Sequence, residues 1–368
     1  SKLVRGNFLN AVYYLIPIFA FMSGIFLIEY IKRKKMYVMK RKAKLSVLLV
    51  ACALLLLTAG CTGNGQSQST DSKVYQIGIV QYMEHSALDA AREGFVQALA
   101  DNGFKDGENI EIDLQNAQGN QSNLASISDR FISNKADLVL AIATPAAQSI
   151  AGKTKDIPIL GTAITDYEEA KLVNSNESPG GNVSGTTDMN PIKEQIDLLV
   201  KLAPDAKTVG VLYTSSEDNS VLQAKVAKQC IENAGLKYVE VTVTNSNDVQ
   251  QAAESIVQKC DAIYIPTDNT FASAIPIVHG VIIESKTPVI CGEAVMVDNG
   301  GLATLGINYR DLGYQTGLMA VKILKGEAET ASMPVEASTN FDFAINGSVA
   351  DEIGLSIPDD LKKYIINK

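Results

Sequence analysis

The chain has 368 residues, 46% of them hydrophobic, with 32 Lys/Arg against 41 Asp/Glu. Ten of the basic residues and one of the acidic ones fall in the first 60 positions, so residues 61–368 carry 22 against 40, a net charge of −18. So acidic a surface argues against nucleic acid as a partner, because phosphate contacts are built from Lys and Arg.

Taken in chain order, residues 11–31 (AVYYLIPIFAFMSGIFLIEYI) are apolar over a length that spans a bilayer, and Lys32-Arg33-Lys34-Lys35 follow. Residues 40–61 (KRKAKLSVLLVACALLLLTAGC) then run from a basic start through 13 apolar residues at 45–57 to small residues closing on Cys61. That is the layout of a secretory signal. It resembles a bacterial lipoprotein signal, with Leu57-Thr58-Ala59-Gly60-Cys61 as the lipobox, which implies cleavage before Cys61 and lipidation of its thiol. Because Met36 and Met39 both precede a complete signal, residues 1–38 read as an upstream extension that the mature protein lacks, the alternative being a membrane helix. Residues 39–60 are the signal peptide. Residues 61–73, Gly/Ser/Gln/Asn-rich after Cys61, form a flexible tether.

From Val74 onward, short β-branched runs alternate with helical stretches. Strands are predicted at 75–80, 109–114, 138–143 and 157–161, and helices at 86–102, 123–133 and from Pro145. After the Gly-rich crossing 178–185 the pattern begins again. Helices are predicted at 191–202, 219–234, 247–259, 270–285 and 309–325, with strands at 208–213, 238–243, 262–265, 288–291, 302–306 and 341–345. Pro276 should kink or interrupt the 270–285 helix. The series implies α/β architecture: two tandem doubly wound parallel-sheet lobes with a hinge and an interlobe cleft. The N-terminal lobe is expected over 74–185 plus about 308–332, and the C-terminal lobe over 186–307 plus about 338–368. Hinge segments fall near 183–185, 302–307 and 333–340. Cys230, Cys260 and Cys291 match no zinc spacing and read as reduced core residues, a single disulfide among them staying open.

In open parallel sheets, ligands bind beyond the carboxyl ends of the strands. The candidate ligand residues are therefore those that follow each strand: Gln81, Tyr82 and His85; Thr144; Thr165 and Asp166; Ser215, Ser216 and Asn219; Thr267, Asp268 and Asn269; Glu293; and Asn308. Thr144 before Pro145 reads as an N-cap whose hydroxyl and neighbouring N–H groups would hold a carboxylate. Asp268 and Glu293 would hold an ammonium group, so together they suit a zwitterionic amino acid. Tyr82, Met83, Tyr213 and Phe271 are placed to wall an aromatic side chain, although Tyr213 and Phe271 read equally well as core.

Several of these segments resemble substrate-binding lipoproteins of ABC transporters, the family that includes tryptophan- and tyrosine-binding proteins. They are IGIVQYMEHSALDAAREGF (77–95), AIATPAAQSIA (141–151), TDMNPIKEQIDLL (187–199), YTSSEDNSV (213–221), AIYIPTDNTFASAIP (262–276) and YQTGLMAVKILKG (314–326). Ser86 departs from the pattern, which has proline after His85. The resemblance implies a type I periplasmic-binding fold that closes on one small ligand, an aromatic amino acid in the nearest readings. It also implies partners outside this chain: a permease and an ATPase, with the membrane reached through the lipid. A sensor or adhesion lipoprotein of the same fold is the alternative function.

An enzyme reading finds little. His85 and His279 are the only histidines, and no nucleophile motif, HExxH, CxxC or phosphate loop accompanies them. Asp188 and Glu194 flank a helix start with Asn190 as its expected cap. No cofactor and no metal site are expected.

Overall fold

The structure, a computed structural model, describes residues 73–367. The signal peptide, Cys61, the tether up to residue 72 and residues 1–38 lie outside the described residues. The first lobe opens with β1 (Tyr75–Gln81), whose side chains from Ile77 onward are all buried. An apolar run of this kind, covered on both faces, belongs in a parallel sheet between helix layers. Then come α1 (Ser86–Asp101), β2 (Ile110–Asn116), α2 (Gln121–Ser133), β3 (Leu138–Ile142), α3 (Thr144–Lys153), β4 (Ile159–Ile164) and β5 (Val183–Thr187). The second lobe holds α4 (Ile192–Leu202), β6 (Thr208–Thr214), α5 (Asp218–Asn233), β7 (Lys237–Val243), α6 (Val249–Ile256) and β8 (Ala262–Ile265). It continues through α7 (Asn269–Ser285), β9 (Val289–Cys291), α8 (Ala294–Asp298) and β10 (Ala303–Ile307). The chain returns to the first lobe with α9 (Tyr309–Leu324) and β11 (Glu336–Ala337). It ends in the second with β12 (Phe341–Asn346), α10 (Gly347–Ile353) and β13 (Ile365–Asn367).

The first sheet is ordered β11-β5-β4-β3-β1-β2 and every pair in it is parallel. The second is ordered β13-β12-β10-β9-β8-β6-β7. It is mixed, because β12 pairs antiparallel with β10. The reason is the connection: β12 is reached from the other lobe over three residues after β11, without the crossover helix that a parallel neighbour needs. Each lobe has its own apolar core, the first centred on residues such as Ile79, Phe95 and Leu140, the second on Val211, Ile263 and Phe271. The chain passes between lobes three times, at 188–191, at Asn308 and at 338–340.

In the first sheet the order runs outward in both directions from β1, and in the second from β6. The gaps β1/β3 and β6/β8 are thus the switch points, where flanking loops diverge and leave a crevice. The loops that meet there are 82–85, 143–144, 215–217 and 266–268.

Several local expectations change. The strand at 183–187 takes in the end of the expected Gly-rich crossing, where a hinge strand near 183–185 was also expected, and β11, α8, α10 and β13 are too short to show periodicity. Pro276 does not interrupt α7, which runs through it to Ser285. The proline ring lies on the exposed face, clear of the second core. Helix α4 begins at Ile192 after an uncapped Pro191, since Asn190 instead accepts from Ile307 N–H. Cys230, Cys260 and Cys291 are free thiols.

Candidate functional site

Helices α1 and α9 determine where the site lies. They pack so closely that a Cβ on Gly313 would sit 1.9 Å from the Ala91 carbonyl oxygen, and one on Gly94 would sit 2.1 Å from that of Arg310. That contact sets the first turn of α9, with Tyr309, beside the first turn of α1, with His85 and Leu88. These three residues form one wall of an interlobe cavity completed by Ala163, Asp188, Asn219, Thr267, Asp268, Asn269, Ala272 and Glu293. About 280 Å³ lies between the lining atoms, part of it open to solvent, and only about 20 Å³ admits the centre of a water molecule. The lobes are therefore drawn together. Beside it, Thr144, Asp166, Glu169, Ala170, Asp218, Asn219 and Leu222 line a second crevice of about 170 Å³, with Asn219 shared by both. A larger open groove around Lys155, Gly181 and Thr330 lies at the opposite end of the first sheet, away from the switch points.

Interlobe hydrogen bonds hold this arrangement. His85 Nε2 meets Asn269 Oδ1 at 3.2 Å, Gln148 donates to Asp218 Oδ2 at 2.8 Å, and Gln223 donates to Thr165 Oγ1 at 3.3 Å.

Three buried acidic side chains line the cavity, a fourth, Glu217, is buried behind it, and no Lys or Arg lines it. Two of them are fully occupied by the protein. Asp268 caps α7, accepting from Phe271 N (2.9 Å), Thr214 Oγ1 (2.8 Å) and Thr214 N (2.6 Å). Glu217 reaches the same helix end and accepts from Asn269 N, Asn269 Nδ2, Thr270 N and Thr270 Oγ1. Asp188 accepts from Thr165 Oγ1 at 3.1 Å and from Tyr309 Oη at 2.7 Å. Glu293 is different: it is 2% exposed and neither carboxylate oxygen has a hydrogen-bond partner. Burial, with Asp188 and Asp298 adding like charge, pushes its carboxyl up to about 8. Burial likewise raises Asp188, Asp268 and Glu217 above the usual carboxylate range, Glu217 helped by Asp268. His85 is pushed down to about 4 by burial, partly offset by its bond to Asn269 and by Asp89.

The structure brings His85, Asn219, Thr267, Asp268, Asn269 and Glu293 into the cavity, and Thr144 and Asp166 into the adjoining crevice. Thr144 is the first residue of α3, and the cap is Ala143, held at φ 82° and ψ 152°. The Thr144 hydroxyl is left buried and unpartnered. Asp166 accepts from Glu168 N and Glu169 N and so closes a turn. Thr165 braces Asp188 from behind the wall. The other expected residues face elsewhere. Gln81 binds Asp89, Arg92 and the Met83 carbonyl. Tyr82 packs in the first core and donates to the Gly119 carbonyl at 3.4 Å. Ser215 and Ser216 are exposed and donate to the Val243 and Thr244 carbonyls. Asn308 caps α9. Tyr213 turns out to Glu240 and Phe271 fills the second core, so neither walls the cavity. Met83 is absent from the lining as well, and Tyr309, Leu88, Ala163 and Ala272 supply the apolar surface.

Sequence reasoning passed over Glu217, Tyr309 and the cavity position of Asp188. Glu217 lies in the stretch after β6 already quoted, and a carboxylate three residues beyond a strand at a switch point was the available signal. Tyr309 follows Asn308 directly and gave none.

The sequence pattern of ABC transporter substrate binding protein matches residues 76–367, and the chain belongs to that family. It is a family of solute-binding proteins, with the type I periplasmic-binding fold described above. A second pattern, of a protein of unknown function, matches residues 1–86. Among relatives, a tyrosine-binding protein of Clostridioides difficile (strain R20291) is 41% identical over 334 residues, covering 89% of this chain and 96% of its own. A crystal structure of the ABC domain in complex with L-Trp from Streptococcus pneumonia shares 40% identity. It superposes with a TM-score of 0.77, over 80% of this chain and 99% of that one. The ligand-free, open structure of a substrate-binding protein with adhesive properties from Clostridium difficile is 48% identical over the same shares, yet its TM-score is 0.63. The better superposition on the less similar, ligand-bound chain agrees with the lobes being closed. Among the described residues no helix is long and apolar enough to cross a membrane.

Proposed function

We propose that this protein captures an aromatic amino acid, tyrosine or tryptophan, between its lobes and presents the closed complex to an ABC permease driven by an ATPase. The observation that carries the reading is Glu293: a buried carboxylate with both oxygens free, in a closed cavity without a cation. A ligand ammonium supplies the missing charge, with Asp188 close enough to share it. This moves the ammonium contact from Asp268, whose acceptors are spent on α7, to Glu293. The ligand carboxylate belongs at the first turn of α3. The Thr144 hydroxyl there is free, in a crevice that Asp166, Glu169 and Asp218 also line. By contrast, α7 already has Asp268 and Glu217. Leu88, Ala272 and Tyr309 then pack on the side chain. The relatives that bind tyrosine and L-Trp support this ligand class.

The resemblance of residues 40–61 to a lipoprotein signal ending at Cys61 supports an extracytoplasmic protein held to the membrane by lipid. The neighbour with adhesive properties keeps a second reading in view, a lipoprotein of the same fold that serves adhesion. A thermal-shift screen decides the ligand, because binding to the folded state alone raises Tm with concentration. The expected result is a shift with Tyr or Trp that disappears with analogues that lack only the amine, 3-(4-hydroxyphenyl)propionate and indole-3-propionate. Equal shifts with those analogues would remove Glu293 from the recognition scheme.

A further inference from the structure

Among the unused groups around the cavity, the ring of His85 is constrained from outside. Glu217 accepts from two backbone N–H groups, Asn269 N and Thr270 N, both at 3.3 Å, and these can only donate. Its Oε2 lies 2.6 Å from Asn269 Nδ2, so the Asn269 amide must turn its N–H toward Glu217 and its oxygen toward His85. His85 Nε2 then carries the hydrogen. In a neutral ring, and burial keeps this one neutral, the other nitrogen is a bare acceptor. That atom, Nδ1, is buried and has no partner. Glu293 feels the charge of Asp188, and Tyr309 that of both, whereas the groups that act on His85 are Asn269 and Asp89. The cavity therefore presents two separate unsatisfied acceptors.

We infer that His85 is a specificity-determining residue whose Nδ1 accepts a hydrogen bond from a donor on the ligand's side chain, the phenol O–H or the indole N–H. Asn269 and Glu217 are positioning residues that set its tautomer. The inference rests on the aromatic amino-acid reading and adds to it a rejection of phenylalanine. A site with a buried acceptor disfavours a ligand that cannot satisfy it, by at least tenfold.

The test is calorimetric titration of the full chain with Tyr and Phe, and with Trp and 1-methyltryptophan, in the native protein and in His85→Leu. The α1 cap uses no side-chain bond from His85, so the variant should fold, and its circular dichroism checks this. The expected result is at least tenfold preference for Tyr over Phe in the native protein, falling to within about twofold in His85→Leu; the ratio is the readout, because the variant also loses the interlobe bond to Asn269 and with it some affinity for every ligand. Equal binding of Tyr and Phe by the native protein, or equal loss of both in the variant, would overturn the role of His85 and leave the amino-acid reading intact. Binding of none of the four would overturn both. Independently of any variant at His85, long-range 1H–15N spectra of the two histidines should show the Nε2–H tautomer for His85. That signature should dissolve into a tautomer mixture in Asn269→Ala. An Nδ1–H tautomer in the native protein sinks the proposal.

Discussion

At the scale of single residues, two carboxylates that look alike in sequence do different work. Asp268 is an internal cap, and Asp268→Ala should cost about 2 kcal/mol in urea unfolding, because it strands the Thr214 and Phe271 N–H groups. Glu293 makes no protein bond, so Glu293→Gln should keep or raise stability while weakening Tyr or Trp binding at least tenfold. Its titration gives a further expectation. The folded carboxyl ionises near 8 against a usual 4.5, so the unfolded chain holds fewer protons between those values. Stability of the free protein should therefore fall as pH rises from about 4.5 to about 8 and level off above, with a shallower slope in Glu293→Gln. An ammonium ligand favours the ionised form. Titrations near pH 7 in buffers of different ionisation enthalpy should report up to about one proton released per ligand, lost in the variant.

At the scale of elements, the α1–α9 contact sets the spacing between His85 and Tyr309. Gly313→Ala places a methyl 1.9 Å from the Ala91 carbonyl, so the helices must separate. A loss of about 1–3 kcal/mol in thermal unfolding is expected, together with weaker ligand binding, since the cavity wall moves with the helices. Unchanged stability would mean that this packing is softer than its geometry. The helices and central strands were legible because their apolar periodicity runs for many residues. Strand β5 was not: Val183-Ser184-Gly185-Thr186-Thr187 has one large apolar side chain and owes its strand state to pairing with β4 and β11. Helix α7 shows the reverse, since its apolar run held through Pro276 against a local rule for breaking helices.

At the scale of the whole molecule, a cavity with about 20 Å³ open to water centres cannot admit an amino acid, so binding requires the lobes to part. Parting breaks the His85–Asn269, Gln148–Asp218 and Thr165–Gln223 bonds, each worth about 1 kcal/mol or less. Closure without ligand is thus weakly held, and on the proposed reading a ligand ammonium paired with Glu293 holds it shut. Small-angle scattering should show the radius of gyration falling when Tyr or Trp is added. No change on addition of a ligand that binds by calorimetry would mean that the free lobes are already closed in solution.

The sequence by itself determined the α/β order, the doubling of the pattern, the acidic balance and the set of loops from which the site is drawn. All of these depend on residues near one another in the chain, through periodicity, caps and composition. Only the tertiary structure decided which loop residues meet. Gln81, Ser215, Ser216 and Asn308 follow strands as His85 and Glu293 do, yet they spend their polar atoms on nearby backbone or side chains. Tyr309 enters the cavity because α9 packs on α1, and Glu217 is buried behind the wall because the end of α7 draws in a second carboxylate. Whether a polar atom is left free for a ligand depends on partners distant in sequence, and that is settled only when both lobes are folded and closed.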